Sequence, residues 1–376
     1  MPPLSMMIKP VSSSCNMRCK YCFYADVTSL RNISNYGIMS RETMQQVIRK
    51  AFLYADGSVS FAFQGGEPTL AGSGFYEDFV RTVRQVNVRG LPVSYALQTN
   101  GYELSDAFCR FLAAHHFLVG VSVDGVKDIH NGLRRDAQGE GTFARVMGNI
   151  ERLRQYGIEY NILCVVTAPV AERAKECWQN LARHGFLQFI PCIDDFHGPA
   201  QNWSLTAEAY GHFLIDVFSC YEHAWRKGNP VSERRFDNYL GVLLGQPPED
   251  CGMRGLCGLY FLVEADGSVY PCDFYVLDEW RMGNLNLTSL GRMAKAEASL
   301  KFREISRTLP SSCNNCEWLR LCRGGCRRDR EPFRDGRSGE NKYCAGYRMF
   351  FEECFSKMRS LAEYIRKERQ LTVNRP

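Results

Sequence analysis

Seventeen of the 376 residues are cysteine, and the spacing of these thiols is the first feature of the sequence that could do chemistry. Cys15, Cys19 and Cys22 form a C-x3-C-x2-C group, Cys15-Asn-Met-Arg-Cys19-Lys-Tyr-Cys22. Three thiolates on one short loop can converge on a single inorganic centre, yet three is one short of a closed site. A [4Fe–4S] cluster held this way keeps one iron without a protein ligand, open to a substrate or cofactor. Zinc with three cysteines and a histidine is the alternative, but no histidine precedes His115. An aromatic residue, Phe23, follows the third cysteine.

A second group lies near the C-terminus. Its centre is Cys313-x2-Cys316-x5-Cys322-x3-Cys326, with Cys344 after it and Cys251, Cys257 and Cys272 before it. Taken in isolation, paired cysteines at such spacing read equally well as a zinc ribbon or as cluster ligands. The N-terminus, Met1 to Pro10, has neither a charged segment nor a long apolar run, so no export signal is expected and the compartment reads as cytoplasmic and reducing. Ligation is therefore favoured over disulfides, and an odd number of thiols cannot pair completely. Cys109, Cys164, Cys177, Cys192, Cys220 and Cys354 stand apart from both groups; most read as small buried hydrophobes, with Cys192 the one to check against the site.

These thiols must be positioned by a scaffold. Short apolar or alternating runs at Leu4–Ile8, Val59–Phe63, Val93–Gln98, Leu118–Val123, Asn161–Val166 and Leu187–Ile193 predict six strands. Helical spacing between them covers Glu42–Tyr54, Phe75–Val86, Asp106–His115, Thr142–Tyr156 and Glu172–His184. Strand and helix in alternation imply parallel βα units with right-handed crossovers. A doubly wound sheet and a partial barrel both fit. Helical pattern resumes at Ala207–Arg226, and Gly245-Gln-Pro-Pro-Glu-Asp250 then breaks the chain. Short strands at Tyr260–Glu264 and Ser268–Tyr270 flank an Asp266-Gly267 turn. The expected division is residues 1–235 and a cysteine-organised unit at 236–376, against which a C-terminal helix, Tyr347–Lys367, would pack. Lysine plus arginine (46) exceed aspartate plus glutamate (41) by five, too little to argue for nucleic acid. No apolar run reaches the roughly 18–20 residues of a membrane span.

The first cysteine group, with its aromatic residue, resembles the signature of the radical S-adenosylmethionine (SAM) superfamily. Gln64-Gly65-Gly66-Glu67-Pro68 after the second strand is similar to that family's Gly-Gly-Glu motif. Gln98-Thr99-Asn100-Gly101 and Val121-Ser122-Val123-Asp124-Gly125 end the third and fourth strands, as the family's site residues do. The resemblance implies an α/β fold, a partial (β/α)6 barrel, with SAM bound beside the Cys15/Cys19/Cys22 cluster. It implies that Gly65 and Gly66 let backbone approach the methionine ammonium group, with Glu67 nearby. The second group resembles the SPASM extension, in which eight cysteines hold two auxiliary [4Fe–4S] clusters. By position, Cys251, Cys257, Cys272 and Cys326 would hold one, and Cys313, Cys316, Cys322 and Cys344 the other, giving three clusters in all.

The narrower resemblance is to anaerobic sulfatase-maturating enzymes. It rests on Ile8-Lys-Pro10, Tyr21-Cys-Phe-Tyr24, Phe61-Ala-Phe-Gln-Gly-Gly-Glu-Pro68, Asn161-Ile-Leu-Cys-Val-Val-Thr167 and Gly267-Ser-Val-Tyr-Pro-Cys-Asp-Phe-Tyr-Val-Leu-Asp278. The resemblance implies oxidation of a cysteine or serine in a C/S-x-P/A-x-R motif to Cα-formylglycine. The partner would be an unfolded or nascent sulfatase, and the external one-electron donor a protein such as flavodoxin or ferredoxin. Neither nucleic acid nor membrane is implied. Asp273 is carried over as the catalytic base, although an aspartate in such a loop ordinarily accepts backbone hydrogen bonds. Tyr21, Gln64, Gly66, Asn100, Ser122, Arg134 and Ile193 are carried over on the SAM side, with Arg135 a competitor for Arg134, and Tyr24 on the substrate side. Two other functions compete: a SPASM maturase that crosslinks a ribosomal peptide, and a metal-bearing scaffold without catalysis. Cysteine against serine preference is left open.

Overall fold

The computed structural model describes residues 3–333 and 339–373. Strands β1 (Leu4–Ile8), β2 (Val59–Phe63), β3 (Val93–Thr99), β4 (Phe117–Ser122), β5 (Tyr160–Val166) and β6 (Phe186–Pro191) pair in sequence, all parallel. Alternate residues of each are buried: Leu4, Met6 and Ile8 on β1, then Val59, Phe61 and Phe63 on β2. That face takes the covering helices. The opposite face carries small or polar residues such as Ser60, Ala62, Ser94, Ala96, Gln98 and Ser122, as the two-residue period of a strand requires.

The helices are α1 (Phe23–Ser29), α2 (Arg41–Tyr54), α3 (Ser73–Val86), α4 (Asp106–Ala114), α5 (Lys127–Leu133), α6 (Phe143–Gln155), α7 (Ala168–Glu172), α8 (Ala174–Leu181), α9 (Ala207–Arg226) and α10 (Arg234–Leu243), followed by α11 (Leu290–Met293), α12 (Glu297–Arg307), α13 (Leu319–Cys322) and α14 (Cys344–Val373). Side-chain caps start several of them: Ser40 for α2, Ser105 for α4 and Thr206 for α9 each accept from the backbone amide three residues on. The single helix expected at Glu172–His184 is instead α7, α8 and a 3-10 turn. Pro169 opens α7, and Arg173 leaves helical geometry between the two.

The C-terminal part does not form a sheet of its own. After the short β7 (Ser232–Glu233) beside β6, strand β8 (Phe261–Val263) pairs parallel with β1. Antiparallel β9 (Ser268–Tyr270) and β10 (Gly283–Asn284) follow it. One ten-stranded sheet results, in the order β10-β9-β8-β1-β2-β3-β4-β5-β6-β7, and its end strands do not meet. Helix α14 packs on Trp318 of the C-terminal part, as expected, but also along α9. There Gly346 and Gly211 bring the helices close: a Cβ on Gly346 would stand 2.1 Å from the Ala207 carbonyl oxygen.

Candidate active site

The loop carrying Cys15, Cys19 and Cys22 leaves β1 and ends at α1, whose N-cap is Cys22. Two neighbouring segments strap it down. The amides of Gly66 and Glu67 donate to the carbonyls of Ser12 (3.0 Å) and Ser14 (2.8 Å), and the amides of Arg18 and Lys20 donate to the carbonyls of Arg135 and Leu133. A Cβ on Gly66 would lie 2.1 Å from the Ser14 oxygen. The Gly66 Cα therefore faces the backbone of the cysteine loop. The three thiols are half-buried and feel one another: Cys22 raises both Cys15 and Cys19. Burial pushes Cys19 up to about 12, with the Arg134 guanidinium opposing. Asn100 Nδ2 lies 3.8 Å from Cys15 Sγ and donates to Asn16 Oδ1 at 2.8 Å.

Behind this loop is a hydrogen-bonded polar layer. Glu67, buried at the end of the β2 turn, accepts from the Thr69 amide and hydroxyl, the Thr99 hydroxyl and the Asn100 amide. Its carboxylate ties the ends of β2 and β3 together. Tyr21 donates to Asp124 and accepts from Arg134 at 2.9 Å. Asp124 also accepts from the Val165 amide, and its own amide donates to His130 Nδ1. Ser122 accepts from Gln98 on the open face of the sheet. Ile193 follows Cys192, whose buried thiol points to the Ile193 carbonyl and whose own carbonyl accepts from Tyr343 and Lys342. Arg134, rather than Arg135, turns inward. It is 5% exposed with its Nε unpartnered, while Arg135 bonds surface carbonyls.

The loop after β9 brings Asp273 against Tyr24 and Gln64. Tyr24 donates to Asp273 Oδ2 at 2.5 Å, and Gln64 Nε2 reaches both Tyr24 (2.9 Å) and Asp273 (3.1 Å). Phe23 stacks edge-on to Phe274 at 4.9 Å. Asp273 is buried, and its Oδ1 has no partner. Burial pushes its carboxyl up to about 6, against the pull of Lys9 and the Tyr24 hydrogen bond. Lys9 lies 4.7 Å over the Tyr24 ring and 3.5 Å from Glu264, which Arg31 also contacts at 2.6 Å. All three charged side chains are fully buried.

The remaining thiols feel one another in two sets. Cys257 and Cys251 raise Cys272, and Cys272 and Cys251 raise Cys326. Separately, Cys344, Cys313 and Cys316 raise Cys322. Among the described residues, no three His, Cys, Asp or Glu side chains form a group placed to hold a single metal ion. Cys109, Cys164, Cys177 and Cys354 are buried away from these sets, and Cys220 is half-buried.

The Radical SAM superfamily matches residues 10–175, and a family described as an iron-sulfur cluster-binding domain matches residues 257–317. A cysteine-type anaerobic sulfatase-maturating enzyme of Clostridium perfringens is 41% identical over 97% of this chain and 100% of its own length. The chain belongs to the anaerobic sulfatase-maturating enzymes. A serine-type member of that family, from Bacteroides thetaiotaomicron, is 29% identical over 97% of this chain and 92% of its own. Among solved structures, native anSMEcpe with bound AdoMet and Cp18Cys peptide superposes with a TM-score of 0.93 at 40% identity, covering 97% of this chain and 100% of that one. Streptococcus suis SuiB bound to S-adenosylmethionine shares the fold, with a TM-score of 0.63 at 16% identity over 91% of this chain and 77% of its own.

Within this sulfatase-maturating chain, sequence reading missed the buried charges behind Asp273. Lys9 and Glu264 are single charged residues at the ends of apolar strands β1 and β8, and that position was their signal. His130 was missed as well; its ring joins the Asp124 amide to Thr142.

Proposed function

We propose that this chain oxidises a cysteine side chain of an unfolded or nascent sulfatase, within a C-x-P/A-x-R segment, to Cα-formylglycine. The observation that carries the reading is a buried carboxylate with one free oxygen, Asp273 Oδ1, held by Tyr24 and Gln64 between two thiol groups. Cysteine is favoured over serine by the higher identity to the cysteine-type relative, 41% against 29%. Residues 1–235 are read as the radical SAM part and 236–376 as the auxiliary-cluster part. The protein is read as cytoplasmic; no helix among the described residues is long and apolar enough to cross a membrane.

In this reading Cys15, Cys19 and Cys22 hold one [4Fe–4S] cluster. Cys251, Cys257, Cys272 and Cys326 hold a second, and Cys313, Cys316, Cys322 and Cys344 a third. What supports it is the grouping of the thiols: Cys22 acts on Cys15 and Cys19, Cys251 and Cys257 act on Cys272, and Cys313, Cys316 and Cys344 act on Cys322. When bound, the first cluster and SAM supply a 5′-deoxyadenosyl radical able to take a hydrogen atom from the substrate Cβ. Arg134, with a buried donor free, and the amide of Asn100 border that cluster loop. Tyr21 and Glu67 brace it, since their polar atoms are taken by protein partners. Gly65, Gly66, Ser122 and Ile193 complete the SAM side.

Asp273 accepts the proton of the substrate thiol through its free oxygen, while Tyr24 and Gln64 fix the other. Loss of one hydrogen atom, one proton and one electron leaves a thioaldehyde, which water converts to the aldehyde with release of hydrogen sulfide. An external one-electron donor, of the flavodoxin or ferredoxin kind, starts each turnover. The test is anaerobic incubation of reconstituted protein, SAM and reductant with a peptide containing C-T-P-S-R. A mass loss of about 18 Da is expected. SAM cleavage without any change in the peptide would overturn the reading.

A further inference from the structure

We infer that Lys9 is a positioning residue for the oxidation: its ammonium, set over the face of Tyr24, fixes the ring whose hydroxyl holds Asp273. The inference rests on the reading of Asp273 as the base. Its starting point is a buried charge that no hydrogen bond satisfies. Lys9 is fully buried, yet its Nζ, with three N–H donors, has no hydrogen-bond partner.

Pairing with Glu264 does not account for this ammonium. That carboxylate has closer partners: Oε2 accepts from Arg31 at 2.6 Å, and Oε1 accepts from the Ala265 amide at 3.0 Å. Lys9 stands 3.5 Å from Oε2, a charge contact without a hydrogen bond. What the head of the side chain meets is the Tyr24 ring, whose centroid lies 4.7 Å from Nζ. The stem reaches it over Gly65, where an added Cβ would lie 3.2 Å from both Cβ and Cε of Lys9. Gly65, at a φ of +125°, keeps that path clear.

Tyr24 is thereby gripped at two points. Lys9 holds its face, and Gln64 donates to its hydroxyl at 2.9 Å. Both grips come from the ends of neighbouring strands, since the Gln64 amide donates to the Ile8 carbonyl at 2.9 Å, one residue before Lys9. The hydroxyl donates in turn to Asp273 Oδ2 at 2.5 Å and leaves Oδ1 free. A cation over an aromatic face is drawn to the negative face of the ring, most strongly where water is excluded. An apolar side chain would fill the same volume but would not centre the ring, and the carboxylate would move with the hydroxyl. A misplacement on the order of 1 Å near a reacting group is enough to cost turnover heavily. Lys9 acts through Tyr24 and has no need to touch the substrate.

The test compares the full-length holoenzyme with its Lys9→Met, Lys9→Arg and Arg31→Gln variants by two readouts. The first is 5′-deoxyadenosine formed per aldehyde formed on the C-T-P-S-R peptide, measured with the peptide KM. Lys9→Met should raise that ratio by about tenfold with KM near wild type, because SAM is still cleaved while the thiol proton is not taken. Lys9→Arg keeps a cation over the ring and should restore most of the coupling. Arg31→Gln weakens the same buried charge set but leaves Lys9 over Tyr24; it should lower Tm and keep the ratio. The second readout is the fluorine NMR resonance of 3-fluorotyrosine placed at position 24, which should move in Lys9→Met and stay in Arg31→Gln. An unmoved ratio or resonance in Lys9→Met, equal losses in the Met and Arg variants, or equal uncoupling by Arg31→Gln overturns the inference. Molecules without iron cleave no SAM, so incomplete loading leaves the ratio intact. Where Lys9→Met does not accumulate as folded protein, Lys9→Gln gives the same two readings. Full coupling in Asp273→Asn would overturn the reading of Asp273 as the base instead.

Discussion

Gly66→Ala tests whether the Gly-Gly-Glu motif serves the cysteine loop or a ligand. The added Cβ would lie 2.1 Å from the Ser14 oxygen, 2.6 Å from the Ser14 carbonyl carbon and 2.7 Å from that of Ser13. All three are backbone atoms, so no side chain can swing aside. Reaching even a 3.0 Å contact requires a shift of about 0.9 Å (3.0 − 2.1) in a segment that runs straight into Cys15. Overpacking of this kind costs about 1–3 kcal/mol. The hydrogen bonds from Gly66 and Glu67 to Ser12 and Ser14 are strained by the same shift, at about 1 kcal/mol each. The total is about 3–5 kcal/mol, applied to one loop.

The assay is iron content and thermal unfolding of anaerobically reconstituted protein, with Gly148→Ala as control. Gly148 lies inside α6 with nothing within 4 Å of an added Cβ, so alanine there should stabilise by roughly 0.5–1 kcal/mol. Gly66→Ala should lower iron from about twelve to about eight per chain and lower Tm by several degrees. Full iron with unchanged Tm would refute the packing argument. Full iron with lost SAM binding would leave the glycine with its SAM-side role alone.

Asp273→Asn should suppress product by at least about tenfold while iron content and SAM cleavage stay near wild type, because the amide cannot take the thiol proton; full activity would remove Asp273 as the base. Gly346→Ala should destabilise the protein by about 2 kcal/mol or more, read by denaturant unfolding, since its Cβ would meet the Ala207 carbonyl between α14 and α9. His130 is held at about 2, chiefly by burial and then by Arg134. Its folded value lies below the unfolded one of about 6.5, so its contribution is intact above that pH and is lost as pH falls. Between pH 8 and pH 5 the loss should be about 2 kcal/mol. Wild type should show this extra decline against His130→Gln in denaturant unfolding, and parallel curves would refute it.

The strands were legible as short apolar or alternating runs. Leu4–Ile8, Val59–Phe63 and Ser268–Tyr270 are bounded by residues that end the pattern, and all three stand where periodicity puts them. Helix α9 was legible for the same reason, having twenty residues of 3.6 spacing. Short α1 and α5, seven residues each, carry too few turns for a period to emerge. The pairing of β8 with β1 leaves no local trace, because a three-residue apolar strand, Phe261–Val263, reads the same whichever neighbour it finds. In the site, the thiols and Asp273 were legible as motifs. The charges that support them were harder to read, because a buried Lys9 or Glu264 differs in sequence from a solvated one only by standing at the end of an apolar strand.

That last difference bears on why the site stands at the join between the two halves. On the proposed reading, the base for the substrate proton stands between the thiol loop after β1 and the thiols around Cys272. Tyr24, two residues after Cys22, and Asp273, one after Cys272, meet because β8 is hydrogen-bonded to β1. Lys9 and Glu264, at the ends of those strands, pair across the same join, and Arg31 holds Glu264 from a third segment. Removing one partner of such a buried set leaves charge without compensation, at about 3–5 kcal/mol. The join is thus held in register by interactions that fail together, and the separation between the two thiol groups is fixed by the sheet.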